Sequence, residues 1–286
     1  MVLVVVLAGI GLVVAQAISN YELLPAAQTR FADYDHLLQG GSITADQHEQ
    51  FVAANTTEIE RLEATLDPAA YGGLSARFAG SAVGVLLAVF MAAAFVGAEF
   101  RWGYWSMLLV REPRRHRLLA SKLVTIAMAT IVLATILVAA GYVAGLILAA
   151  LHDVPAASGS GFGAVMAALP RAWIPALLYA VIATVGSIVA RSSLAGVGTA
   201  GGLIMADGLL LSDIGVFGNV SPVHRVANLV EVSQSPVRSV IWFPGGGFPA
   251  GGIAAADVAV LFGWAAVAVL GAVLVVRRTE YGRQSD

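Results

Sequence analysis

Cysteine is absent from this 286-residue sequence, and only 12% of its residues are charged. The first absence removes disulfides, thiolate metal sites and a cysteine nucleophile. The second lies at about half the level of soluble domains. With 58% apolar residues and a mean hydropathy of +0.82, it excludes an ordinary soluble chain and predicts an integral membrane protein. Lysine is nearly absent too, Lys122 being the single one. A phosphate-cradling GxxxxGK[ST] loop needs glycines before its lysine, and Lys122 follows Ser121 with no such glycines. The chain is therefore not expected to be an enzyme that hydrolyses ATP by that route, and no cofactor is expected on it.

Other catalytic signatures are missing as well. GVGTAG at 196 to 201 matches GxGxxG but lies inside an apolar run, with no strand before it and no ribose-binding acid after it. His48-Glu49 is followed by Val52 where a metalloprotease helix needs its second histidine, and no GxSxG elbow occurs. His36, His48, His116, His152 and His224 have no ligand spacing, so no metal site is expected.

Six apolar runs are long enough to cross a bilayer, which takes roughly 20 residues of helix. They cover 1 to 18, 78 to 98, 119 to 150, 172 to 190, 194 to 212 and 253 to 276. With both termini cytoplasmic, the inside pieces contain or border Arg101, Arg111, Arg114, Arg115, Arg117, Lys122, Arg191, Arg277, Arg278 and Arg283. Only Glu99, Glu112, Glu280 and Asp286 accompany them, whereas residues 19 to 77 hold nine acids against Arg30, Arg61 and Arg77. That asymmetry predicts a multi-pass protein of the cytoplasmic (inner) membrane with its basic side inward. The first run reaches only ~27 Å as a helix and has no preceding charge, so it reads as a retained span whose lead-in lies upstream of Met1.

Between the first two spans, residues 20 to 75 read as an extracytoplasmic helical hairpin. Pro25 opens its first helix, Gly40-Gly41 stops it, and Thr44 with Gln47 has the spacing of a capping box before a second helix that ends at Asp67-Pro68. Residues 213 to 252, with SPVHRVANL and then FPGGGFPAGG, read as an exterior loop without regular elements. Gly80 with Gly84, Gly141 with Gly145, and Gly198 with Gly202 are spaced for close helix packing. Among the acids, Asp207 lies deepest in a span, where a retained charge points to a cavity or a partner. Asp207 and, more weakly, Gln16 are candidate substrate-path residues.

The stretch EFRWGYWSMLLVREPRRHRLLASK, residues 99 to 122, packs six of the sixteen basic residues between two spans. Phe100, Trp102, Tyr104, Trp105 and Leu108 predict a short interfacial helix that Pro113 ends, and Arg114, Arg115, Arg117, Lys122, Arg277 and Arg278 face lipid headgroups. Glu99-Phe100-Arg101-x-Gly103, Leu108-Leu109, Pro113, Arg114-Arg115, Leu118-Leu119 and Lys122 resemble the segment between the second and third spans of ABC-2 type permeases, the membrane subunits of ABC exporters. Tyr104 replaces that family's usual threonine. The resemblance implies one ABC-2 type transmembrane domain over 1 to 286, all-α, with six transmembrane helices, a cytoplasmic coupling helix and basic loop at 99 to 117, and the extracytoplasmic helical hairpin.

It further implies a permease subunit exporting a hydrophobic or amphipathic substrate. Its partners would be two copies of a separate ABC ATPase that holds ATP and Mg, a second permease chain, and the bilayer, with no nucleic acid. Glu99, Phe100, Arg101, Trp102, Gly103, Tyr104, Trp105, Leu108, Arg111 and Glu112 would contact the ATPase. Two other classes stay open at this point. One is a secondary transporter using Asp207, and the other is a membrane-anchored sensor built on the 20 to 75 hairpin.

Overall fold

The structure, a computed structural model, describes residues 2–41, 44, 46–52, 68–104, 107, 115–151, 161–207, 220–230 and 254–281. Every regular element among them is a helix. Helix α1, Val2–Gln39, has 38 residues and so reaches ~57 Å. It runs straight through Pro25, so the expected first span and the expected first hairpin helix are one element. The sequence from Ala15 to Gln39 holds no glycine and is rich in Ala, Leu and Gln, which favours continuation. The stop falls where expected: Gly40 N–H donates to the His36 carbonyl at 2.9 Å, and Gly41 takes a left-handed φ of 70°.

The capping box is present. Thr44 N–H donates to Gln47 Oε1 at 3.0 Å, and Gln47 N–H donates to Thr44 Oγ1 at 3.3 Å, opening the helical residues 46–52. The remainder of the second hairpin helix, 53 to 67, lies outside the described residues.

Helix α2, Pro68–Gly80, is separated from α3, Ala82–Arg101, by Ser81 alone. Ser81 turns to extended backbone, and its Oγ donates to the Phe78 carbonyl at 2.6 Å, so the hydroxyl supports the bend. Gly84 then permits the chain to fold close, because a methyl group there would come within 2.5 Å of Ala79. The Gly84 of the expected Gly80–Gly84 pair thus serves this internal bend.

Four further long or medium helices follow: α4, Arg115–Leu151; α5, Gly161–Ala190; α6, Ser193–Ala206; and, after the short α7, Pro222–Val230, α8, Ala255–Tyr281. Helix α5 is the hub and touches α2, α3, α4, α6, α7 and α8. Its sequence explains why. Ala172, Ala176 and Ala180, spaced by four, form a small-residue stripe against Leu133 and Leu137 of α4, Val13 of α1 and Phe78 of α2. The next face, with Ile174, Leu178 and Ile182, packs on Val85, Val89 and Ala93 of α3, Ile204 of α6, Val223 of α7 and Leu261 of α8.

Among the described residues, four helices are long and apolar enough to cross a membrane: Ala82–Arg101, Arg117–Leu151, Val165–Ala190 and Ala255–Leu274. They make the chain compatible with a multi-pass membrane protein. Their buried shares are 50%, 33%, 78% and 17%, which again puts α5 at the centre and leaves α4 and α8 with broad apolar outer faces. The first and fifth expected spans are helices whose described apolar stretches, Leu3–Ala15 and Ser193–Ala206, are shorter. At ~21 Å, the 14 residues of α6 do not by themselves cover a ~30 Å hydrocarbon core.

The close contact between α5 and α6 uses another glycine than the Gly198–Gly202 spacing indicated. Gly196, not Gly198 or Gly202, faces α5, and nothing lies within 4 Å of a methyl placed on the latter two. Gly97 of α3 lets Ser193 of α6 approach so that its Cα would stand 2.8 Å from an added methyl.

Candidate functional site

Two polar clusters stand at opposite ends of the bundle. At the first, the expected interfacial helix does not begin at residue 99. Glu99, Phe100 and Arg101 form the last turn of α3, and Gly103, at a left-handed φ of 70°, ends it. Trp102 N–H donates to the Ala98 carbonyl at 3.0 Å, and Gly103 N–H to that of Phe100 at 3.3 Å, closing the helix end. A glycine is required here because a side chain strains in that backbone region.

Glu99 Oε1 forms a salt bridge with Lys122 Nζ of α4, both side chains being mostly buried. The ammonium also lies 5.4 Å from the ring centre of Phe95, one turn before Glu99. Beneath this pair, Val96, Leu119, Ile188 and Ala272 join α3, α4, α5 and α8 in one apolar cluster, with Phe100 packed against it. Beyond the pair, the side chains face outward. Arg101 and Arg117 are exposed, Trp102 is 71% and Tyr104 50% exposed, and these two rings stack with centroids 6.4 Å apart. Lys122 is thus a structural partner of Glu99, where headgroup contact was expected. Trp105, Leu108, Arg111, Glu112 and Arg114 lie outside the described residues. Arg115 is on the first turn of α4 and Arg277 and Arg278 are on α8, while Gln16 is on α1.

At the second end, Asp207 follows α6 and is fully buried. Its Oδ2 accepts from Ser221 Oγ at 2.8 Å and from Val223 N–H at 2.7 Å. Ser221 Oγ in turn accepts from His224 N–H at 3.0 Å. Ser221 is therefore the N-cap of α7, Pro222 its first residue, and Asp207 a second cap reaching in from another helix. Helix α7 is tied to α8 by Arg225 Nη1 to Asp257 Oδ1 at 2.7 Å, and Trp264 Nε1 donates to the Val220 carbonyl at 2.8 Å.

Part of the expected irregular loop at 213 to 252 is thus a capped helix. The dipeptide Ser221-Pro222 ahead of an apolar periodic run was the readable signal for it. The pairings Glu99–Lys122, Asp207–Ser221 and Arg225–Asp257 had no such signal, since each joins separate helices. Among the described residues, no group of three His, Asp or Glu could hold a metal ion.

Residues 65 to 220, more than half of the chain, match the model of a family described as Protein of unknown function (DUF2705). The chain belongs to this DUF2705 family. The match spans α2 to α6 and includes both Glu99–Lys122 and Asp207. It corrects the ABC-2 resemblance, for no ABC-2 family model matches. The physical reason is visible in the first cluster. Basic residues, aromatic rings and a proline are what any interfacial connection between two spans carries, and Glu99 and Lys122 are spent on each other. No curated protein and no solved structure matches this DUF2705 chain.

Proposed function

We propose that the chain is the membrane-spanning subunit of an ATP-driven transporter, with ATP and Mg used on a separate cytoplasmic ATPase chain. The observation that supports it is the Trp102–Tyr104 platform, an exposed aromatic pair standing at the end of α3 directly above the Glu99–Lys122 tie. A push on that platform meets a base locked to α4 by the salt bridge and to α6 through Gly97 against Ser193. Force is delivered to helices, and the chemistry that generates it belongs to another chain.

In this reading the basic end faces the cytoplasm, the chain crosses the membrane six times with both termini inside, and residues 20 to 75 form an extracytoplasmic hairpin. Two such chains with two ATPase copies export a hydrophobic or amphipathic substrate. ATP binding changes the balance between inward-open and outward-open states through its differential contact with the platform.

Purification of the intact chain in mild detergent tests this. A co-purifying nucleotide-binding chain whose ATPase rate depends on this protein is expected, and Trp102→Ala with Tyr104→Ala should release it without lowering the melting temperature. Absence of any such ATPase would defeat the proposal. Uptake or efflux driven by a proton gradient in ATP-free vesicles would instead favour a secondary transporter, a second reading that the buried carboxylate of Asp207 supports.

A further inference from the structure

The carboxylate of Asp207 is used on one side only. Oδ2 holds Ser221 and Val223, whereas Oδ1 is buried and has no hydrogen-bond partner among the described residues. The Tyr179 hydroxyl of α5 is in the same condition, with the residue 2% exposed and within electrostatic reach of Asp207. Two oxygens buried without partners in one region are unusual, because such groups are costly unless something donates to them. The nearby cation Arg225 is engaged by Asp257. We propose that Asp207 Oδ1 and the Tyr179 hydroxyl are the polar end of a binding site for an organic ammonium with an apolar body.

The chemistry selects that class. A metal such as Ca²⁺ or Mg²⁺ wants about six oxygen ligands, and the described residues offer two here. A primary ammonium brings three N–H donors of its own and is satisfied by few acceptors. Its charge matches a carboxylate oxygen, and a phenol oxygen accepts a second donor. The walls are apolar: Tyr179 belongs to the same cluster as Ile174, Leu178, Ile204, Val223 and Leu261. A shallow groove between α5 and α8, lined by Ile174, Leu177, Leu178, Leu261, Phe262 and Ala265, borders this cluster on its apolar side. The two bonds on Oδ2 fix the carboxylate, so that Oδ1 is held in place before a ligand arrives.

The site needs no ATPase, so its test is separate from that of the proposed transport. The full chain in nanodiscs of zwitterionic lipid is titrated with octylammonium, with 1-octanol and with sodium chloride, and melting temperature and calorimetric heat are followed. Octylammonium should bind saturably and about tenfold more tightly than octanol, while sodium should neither bind nor compete. Asp207→Asn keeps an acceptor for Ser221 and Val223 but puts an amide donor where Oδ1 stood. It should weaken octylammonium binding about tenfold and leave octanol unchanged. Tyr179→Phe removes one acceptor and should weaken it several-fold, and it carries the test if the asparagine variant does not fold. Equal binding of octanol and octylammonium, full competition by sodium, or unchanged binding in both variants would each overturn the assignment.

Discussion

Replacing Gly196 by alanine should destabilise the bundle, while the same change at Gly198 should not. The two glycines are two residues apart on α6 and face opposite ways. A methyl on Gly196 would run into Ser187 Oγ and would stand 2.5 Å from the Ala183 carbonyl oxygen of α5. The serine hydroxyl can rotate away, having no hydrogen-bond partner to lose among the described residues. The carbonyl cannot, because it is part of the helix. Restoring van der Waals distance therefore moves α6 back by about 1 Å, a gap that forfeits a quarter to a half of each contact's attraction. The crossing is shared with Gly186, where a methyl would stand 2.6 Å from Thr199 Oγ1, so the loss spreads along the interface.

Overpacking of this kind costs about 1–3 kcal/mol. At Gly198 nothing lies within 4 Å, and alanine gains up to ~1 kcal/mol of helix propensity. Gly196→Ala gains the same propensity, so unfolding of the purified chain in detergent, followed by tryptophan fluorescence, should place it about 1–3 kcal/mol below Gly198→Ala, the overpacking cost alone. Equal stability of Gly196→Ala and Gly198→Ala would refute the packing argument.

Two further outcomes follow from the polar ties. Ser221→Ala removes the N-cap of α7 and the donor to Asp207, and should cost about 1 kcal/mol. Amide exchange of residues 222 to 230 should quicken with it, and unchanged protection there would count against the cap. Lys122→Met strands Glu99 in a site where the two side chains are only 15% and 17% exposed. The loss should be about 1–2 kcal/mol, below the 3–5 of a fully buried pair, and Glu99→Gln on the same chain should recover part of it. Additive losses in a double-mutant cycle would argue against the pair.

What the sequence disclosed was whatever depends on neighbours along the chain. Apolar runs revealed the helices α3, α4, α5 and α8, and the glycines after Gln39 and the Thr44–Gln47 spacing revealed a stop and a start, because hydrogen bonds within four residues decide both. Pro25 misled for the complementary reason: its preference for a helix start is weaker than the continuity of the helix around it. Contacts between helices were hidden. That Gly196 and not Gly198 faces α5 depends on helix rotation, which glycine spacing does not encode. Asp207 stood out as a buried acid, yet its partners Ser221 and Val223 lie 14 and 16 residues away and reach it only after α7 has folded.

The position of α6 ties the two clusters together. Its first residue, Ser193, is in contact with Gly97 of α3, and the residue after its last, Asp207, caps α7. A helix of 14 residues, ~21 Å long, is too short to absorb displacement by bending, so a shift at Ser193 is a shift at Asp207. The cap then either breaks or moves with it. Breaking would leave a buried carboxylate without donors on either oxygen, at a cost of several kcal/mol. Moving costs less, because α7 slides with its partner. Helix α8 is drawn along by Arg225–Asp257 and by Trp264 on the Val220 carbonyl. In the proposed mechanism, displacement of α3 at the Trp102 end would thereby become rearrangement around Asp207 and Tyr179 at the other.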